Sequence, residues 1–507
     1  MFIRKNKNRS GSISIQIIRK IRGRNKVIKT IGCAYTQREE ELLKIIARDE
    51  IEKIEGRQSL FIEAEDLVID AFVENIENHQ IQIAGPQIVL GKIYEEIGYN
   101  KIIDDDFFKS LVICRIVYPG SKNKTVKYFK RHLNKEVSVY SVYRFLDKFH
   151  SRYKEAIEYQ TYEHTRKILK GRIGAVFYDM TTLYFESSEE DELRIAGYSK
   201  DGKNQHPQIM MGLLVAENGY PLCYEIFEGN KAETKTLLPV LEKFSQKLKI
   251  DKPIVIADAA LLSQKNIDHL TEAGYEFILG GRIKNENEQI KKKILTLEIR
   301  ENQPKEIRHI NGRLIVSFST KRKKKDFQNR QKGLARLEKK VKNGRLTKDN
   351  INNKGYNKYL ELKGKASVAI NYEKFEADKY WDGLKGYITN TTLSKSDVIA
   401  EYQNLWLIEK AFRISKTDLR IRPIFHRIIN RIETHICICF TAYAVYKEFE
   451  RLIEENHLRL SIEKAVEEIK DIHQLTYMLP KSKQTKTKLL KLNDIQNQII
   501  KKSHDHY

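Results

Sequence analysis

With 507 residues, 41% of them apolar, the chain holds enough material for a large core and about three structural units, which excludes a disordered tail. Ninety-two Lys and Arg against 68 Asp and Glu leave a formal charge of +24, spread from Arg4 to Lys502, so a polyanion is the expected partner, although charge speaks to association and not to fold. The longest mostly apolar run, Ile436 to Val445, is far short of the roughly 20 residues of a membrane span; Met1 to Arg9 lacks the apolar stretch and cleavage site of a signal peptide; and Cys33, Cys114, Cys223, Cys437 and Cys439 are too scattered for a disulfide framework or a paired-knuckle zinc site. A cytoplasmic protein with reduced, mostly buried thiols is expected.

In chain order, Ser12 to Ile21 and Val27 to Ile31 alternate apolar and polar residues around Arg22-Gly-Arg-Asn-Lys26, which predicts a basic β-hairpin within residues 1–36. From 37 to 170 the period is helical, as in Glu39 to Ile54 and Gln87 to Ile97. Lys122 to His132 and Ser138 to Phe149, split by Asn134, form either a DNA-binding helix-turn-helix carrying Lys124, Lys127, Lys130, Arg131 and Arg144, or a helical hairpin with a solvated basic face. Strands follow at Ile173 to Tyr178, Ile209 to Val215 and Pro221 to Phe227, the last two joined through the turn signal Asn218-Gly219. A helix from Lys235 to Leu248, a strand from Pro253 to Ala257, a helix from Ser263 to Ala273 and a strand from Glu276 to Leu279 complete 171–290. Three antiparallel strands, helix, parallel strand, helix, strand is the order of a ribonuclease-H-like α/β core.

Residues 291–390 interrupt this scheme with a second strand-rich stretch, read as a β-rich insertion domain. It holds the hairpin signal Asn311-Gly312, the run Lys321, Arg322, Lys323, Lys324 and Lys325, and a basic helix-like segment to Arg345. Helical periodicity returns at Ser394, with 391–450 as the second half of the core and 451–507 as a helical C-terminal region with a polar, Lys-rich tail. There is no solenoid repeat, Walker loop or dinucleotide fingerprint, so no nucleotide cofactor is expected.

Two strands that are apolar on both faces end in a carboxylate: Val176-Phe-Tyr-Asp179 and Val255-Ile-Ala-Asp258. In the expected order these strands are neighbours, and two close carboxylates repel unless a divalent cation lies between them. The third ligand is sought on a helix, and the period predicts one running from Tyr402 to Lys416. At about 100° per residue it puts Tyr402, Trp406, Glu409, Arg413 and Lys416 on one stripe, opposite Leu407, Ile408, Ala411 and Ile414. Glu433 and Glu228 are the rival third acids. Glu186 to Glu192 reads as a solvated acidic loop, or else an autoinhibitory or metal-gathering element; His435, Cys437 and Cys439 read as buried packing, and Asp104 to Asp106 as a helix start.

These residues resemble the DDE transposases of bacterial insertion sequences, in the insertion sequence four superfamily, whose third acid sits in a Tyr-x2-Arg-x3-Glu-x6-Lys motif. Here it reads Tyr402-x2-Leu405-x3-Glu409-x6-Lys416, with Leu405 in place of the arginine and Arg413 one turn past the Glu. The likeness runs from about Arg172 to Phe440. It implies that Asp179, Asp258 and Glu409 bind two Mg2+ or Mn2+ ions, one activating water against the phosphodiester at an element's end, the other stabilising the leaving oxygen as the freed 3′-hydroxyl attacks target DNA. Tyr402, Arg413 and Lys416 would hold phosphates. The implied partners are double-stranded DNA, as terminal inverted repeats and target, and a second copy of the chain in a nucleoid-bound complex. A ribonuclease-H-like nuclease that cuts without joining, and a non-catalytic DNA-binding relic, are the alternatives.

Overall fold

The computed structural model describes residues 1–8, 11–56, 64–149, 151–186, 189–197, 205–248, 252–261, 263–344, 346–347, 350–352, 355–363, 367–479 and 482–505. It divides into two units, Met1–Gln82 with Gln474–Leu490, and Ile83–His473 with Lys491–Tyr507. No helix among the described residues is long and apolar enough to cross a membrane.

The first unit opens with an antiparallel sheet of β1 (Phe2–Lys7), β2 (Ile13–Ile21) and β3 (Arg24–Ala34). Helix α1 (Gln37–Ile54) starts at a capping box: the Thr36 hydroxyl accepts from the Glu39 amide while the Glu39 carboxylate accepts from the Thr36 amide. It buries Ala47 against Ile15 and Ile17. After α2 (Ala64–Glu74), β4 (Ile81–Ile83) pairs with a hairpin from the other end of the chain, β15 (His473–Met478) and β16 (Thr485–Leu489). The expected polar, Lys-rich tail thus contains a strand, β16, in which Lys486 and Lys488 alternate with Thr485, Thr487 and Leu489, a strand pattern that the lysine content obscures.

The second unit contains α3 (Gly85–Ile97), α4 (Asp106–Val117), α5 (Lys122–Leu133), α6 (Val139–Lys148) and α7 (Ser151–Ile168). Asp105 caps α4 by accepting from the Phe107 amide at 2.7 Å, so the acidic run is a helix start. Its main sheet has eight strands in the order β10-β11-β14-β9-β8-β5-β6-β7. These are β5 (Ala175–Tyr184), β6 (Gln208–Ala216), β7 (Pro221–Glu228), β8 (Ile254–Ala257), β9 (Phe277–Gly281), β10 (Lys305–His309), β11 (Gly312–Phe318) and β14 (Leu384–Thr389). β8 lies parallel to both β5 and β9, and β6 is antiparallel to its neighbours. Helices α8 (Leu237–Leu248) and α9 (Gln264–Glu272) cover one face, and α10 (Glu288–Thr296) follows β9.

Strands β10, β11 and β14 do not make a separate body; they extend the main sheet from the β9 edge. Ile307, Leu314, Val316 and Ile388 join the cluster that holds Val176, Val255 and Phe277. A hairpin cannot bury such a face alone, and β9 offers unpaired backbone groups. What departs from the sheet is α11 (Thr320–Lys342), β12 (Leu360–Lys363), β13 (Ser367–Ile370) and α12 (Tyr372–Ala377), around a small core of Leu337, Tyr359, Leu360 and Phe375.

The chain then runs through α13 (Lys395–Gln403), α14 (Trp406–Arg413), α15 (Ile429–Glu455), α16 (Ile462–Lys470) and α17 (Asp494–Asp505). Mostly apolar from Ile436 to Val445, α15 is buried for most of its length, with His435, Cys437 and Cys439 among its buried residues.

Candidate active site

Tyr178 on β5 faces Ala257 on β8 in parallel register, so Asp179 and Asp258 follow side by side; β8 ends at Ala257, whereas β5 runs on to Tyr184 and carries Asp179 within it, not at its end as its apolar run suggested. Val176, Tyr178 and Met180 point into the core shared with α8 and α9. Alternation then puts Asp179 on the opposite face, where α14 packs on β5 and β6 and α13 on β8 and β9. Asp179 is half-buried and Asp258 exposed.

Asp258 Oδ1 accepts two hydrogen bonds, from the Ala259 amide at 2.7 Å and from the Tyr402 hydroxyl at 3.2 Å. The tyrosine reaches it because β9 carries glycine at 280: a Cβ there would lie 2.5 Å from the Tyr402 oxygen and 3.0 Å from the Ala259 nitrogen. Tyr402 is itself buried, its ring edge-on to Tyr387 at 5.0 Å. Burial first, then the Asp258 charge, pushes its phenol well above the usual range, so it stays protonated and donates.

Lys385, at the start of β14, places Nζ 4.3 Å from the centre of the Tyr402 ring. Burial and the Arg322 cation pull its pKa down; Asp258 and Glu409 pull it up. One ammonium thus senses the second and third predicted acids together. Arg322, Lys385, Tyr402 and Asp258 line a common cleft of about 780 Å³. Sequence reasoning missed Lys385; the only charged residue of β14 was its one signal.

The single helix predicted from Tyr402 to Lys416 is corrected by the structure. The chain tightens at Asn404 and Leu405, where Leu405 N donates to Tyr402 O at 3.1 Å and Leu407 N to Asn404 O at 2.9 Å, separating α13 from α14. Beyond Arg413 it widens into a π-helical turn, Ile414–Asp418, that contains Lys416. The five residues therefore do not lie on one continuous α-helix. The break lets Tyr402 face Asp258 while α14 buries Ile408, Ala411 and Phe412 and leaves Glu409 exposed. Arg413 acts electrostatically on Asp418 and on Tyr446 of α15, and Lys416 lies 5.9 Å from the Phe412 ring centre.

The other predicted DNA-binding residues are dispersed. Lys321 to Lys325 are exposed in the first turns of α11, where Arg322 lies 3.5 Å from Asp326. Lys127 and Lys130 are exposed on α5, and Lys130 pairs with Glu136 at 2.9 Å. Of the rival acids, Glu433 is exposed on α15 and Glu228 pairs with Lys231 at 3.2 Å. In the acidic stretch, Ser187 and Ser188 lie outside the described residues. Its neighbours are tied down, Asp191 to Arg194 at 2.6 Å and Glu189 to Arg427 at 3.2 Å.

Among the described residues, no group of three or more Asp, Glu, His or Cys side chains lies close enough to hold a metal ion. The donor chemistry of Asp179, Asp258 and Glu409 is all carboxylate oxygen, which suits Mg2+ or Mn2+. The fit is one of chemistry and neighbourhood, with the three acids not drawn into one cluster.

Comparison with known proteins adds the family. Residues 170–445 match the transposase DDE domain. No curated protein matches the chain. Among solved structures, the piggyBac transposase synaptic complex with hairpin DNA is similar at a TM-score of 0.38 and 10% identity, over 76% of each chain. The Mos1 transposase paired-end complex with the left transposon end gives 0.16 and 14%, over 31% of this chain and 53% of that one, and the Mos1 strand transfer complex 0.16 and 14%, over 47% and 73%. Scores this low carry no argument about the present chain. The domain match spans more than half of the sequence, and on that ground the protein belongs to the DDE transposase family of enzymes.

Proposed function

We propose that Asp179, Asp258 and Glu409 are the three acids of the transposase site, and that the enzyme cuts DNA at the ends of a mobile element and joins the freed 3′-hydroxyls to target DNA. The observation that carries this reading is the parallel register of β5 and β8, which sets Asp179 beside Asp258, with Lys385 in electrostatic reach of both Asp258 and Glu409. Tyr402 holds Asp258 in one orientation, leaving its second oxygen for other partners. Lys385 and Arg322 would meet a phosphodiester in the cleft and offset its charge, which is the larger part of what a protein contributes to phosphoryl chemistry. Mg2+ or Mn2+ held by the carboxylates, two ions by the family resemblance, would supply charge neutralisation and a more acidic water. The assignment to the Tyr-Arg-Glu-Lys branch and assembly as a homodimer on two element ends are parts of the same proposal.

The test uses duplexes taken from the DNA flanking the gene. Purified protein with Mg2+ should nick them at a fixed position and join the 3′ ends to a supercoiled plasmid. Cleavage without joining would leave a nuclease; binding with neither would leave a DNA-binding relic.

A further inference from the structure

We infer that the tip of the β2–β3 hairpin is a two-stranded arm that enters the major groove of duplex DNA. The inference rests on the reading above that the protein handles DNA, and adds a recognition element to it. No Asp or Glu occurs before Glu39, whereas residues 1–36 carry ten Lys and Arg. β1 pairs with β2 only as far as Phe2 opposite Ile18, and beyond that point β2 and β3 continue alone. Every residue from Arg19 to Thr30 is exposed, including Ile21 at 43% and Val27 at 44%. Arg22 and Gly23 close the arm with φ of 48° and 77°, the left-handed pair of a tight hairpin turn.

The register decides which side chains share a face. Arg19 stands directly opposite Lys26, and Ile21 opposite Arg24, so three cations and one isoleucine occupy one side, with Lys20, Asn25 and Val27 on the other. Like charges facing each other across a ladder destabilise it, and among the described residues no acid pairs with Arg19, Arg24 or Lys26. Lys29, nearer the base, is already paired with Glu50 at 2.5 Å. A polyanion would turn that repulsion into attraction. The arm extends about 10 Å past Ile18, at roughly 3.3 Å per residue pair, and a B-DNA major groove about 12 Å wide and 8.5 Å deep admits a two-stranded ribbon. The deep, narrow major groove of duplex RNA does not.

The test compares wild type with the triple variant Arg19→Ser, Arg24→Ser, Lys26→Ser in the full-length protein, on a 50-base-pair duplex from the DNA flanking the gene, a random duplex of that length, and an RNA duplex of the flanking sequence. The triple variant should melt no lower than wild type, lose roughly tenfold or more in affinity for DNA, and lose about 3 from the salt slope. Protection of guanine N7 from dimethyl sulfate, a major-groove signal, should disappear. Arg24→Lys should keep the salt slope. Unchanged affinity, slope and footprint in the triple variant would overturn the arm alone, as would an RNA duplex that binds as tightly as DNA and depends on the same three residues. A wild-type protein that binds no duplex would instead overturn the DNA-handling reading, and this inference with it.

Discussion

Tyr402 and Asp258, 144 residues apart in the chain, are joined by a 3.2 Å hydrogen bond that exists because the strand between them carries a glycine at 280. That contact orients a carboxylate at the end of β8 and ties α13 to the sheet. Tyr402→Phe should cost about 0.5–1.5 kcal/mol of stability and lower cleavage roughly tenfold, equivalent to about 1.4 kcal/mol in the barrier. Gly280→Ala should do both and destabilise further, by about 1–3 kcal/mol, since its Cβ would meet the Ala259 backbone as well. Denaturant unfolding and a nicking assay on the same preparations check this; full activity in both variants would detach Tyr402 from the site.

The acids and the basic surfaces should separate by phenotype. Asp179→Ala and Asp258→Ala should abolish Mg2+-dependent cleavage while duplex binding persists, and Glu409→Gln should lower cleavage by orders of magnitude with end affinity unchanged or slightly higher. Substantial cleavage by Glu409→Gln would move the third acid elsewhere, with Glu433 first to be tried.

Among the cations, position now distinguishes roles. Neutralising Lys321, Lys323, Lys324 and Lys325 should weaken binding to specific and random duplexes equally, because exposed lysines meet phosphates and do not read bases. Arg322→Ala, which alters the cleft beside Asp258, should reduce cleavage more than binding. Lys416→Ala should lower end affinity and the salt slope by roughly 1; an unchanged slope would remove Lys416 from the DNA contacts. Filter binding across a salt series measures all three.

Stability should vary with pH through a group far from the proposed chemistry. Lys122 Nζ lies 3.5 Å from His435 Nδ1, and His435 Nε2 donates to the Ile421 carbonyl at 3.0 Å, so Nδ1 is the ring's acceptor. Burial first, then the Arg115 cation, pulls Lys122 down to about 7, against the partial opposition of Cys439 and Cys114. The unfolded lysine titrates near 10.4. Between about pH 7 and 10 the unfolded chain therefore binds more protons than the folded one, and stability rises with pH across that window. Lys122→Met should remove this component, gaining most over wild type at pH 7 and least at pH 9. Urea midpoints at the two pH values decide it; an equal difference at both would show that Lys122 keeps an ordinary pKa.

Much of this protein is legible before folding. Strand alternation, the apolar runs that end in Asp179 and Asp258, the Asn218-Gly219 and Asn311-Gly312 turns and the excess of Lys and Arg are local signals, since a period of two or a left-handed turn residue is set within a few positions. Such signals order the strands β5 to β9 and set two acids on neighbouring strands, Asp258 at the end of β8 and Asp179 within β5. Non-local matters needed the tertiary structure. Whether β10, β11 and β14 make their own body or extend the sheet depends on which edge is free and which apolar faces meet, and no window of sequence contains both partners. The break at Asn404 and Leu405 is invisible to a 3.6-residue count because both residues stay near helical dihedrals, yet it separates α13, which sets Tyr402 on Asp258, from α14, which packs on β5 and β6 and leaves Glu409 exposed. Lys385 carries no motif. It becomes part of the site only because β14 returns beside β9 and sets its ammonium over the Tyr402 ring, within the fields of Asp258 and Glu409.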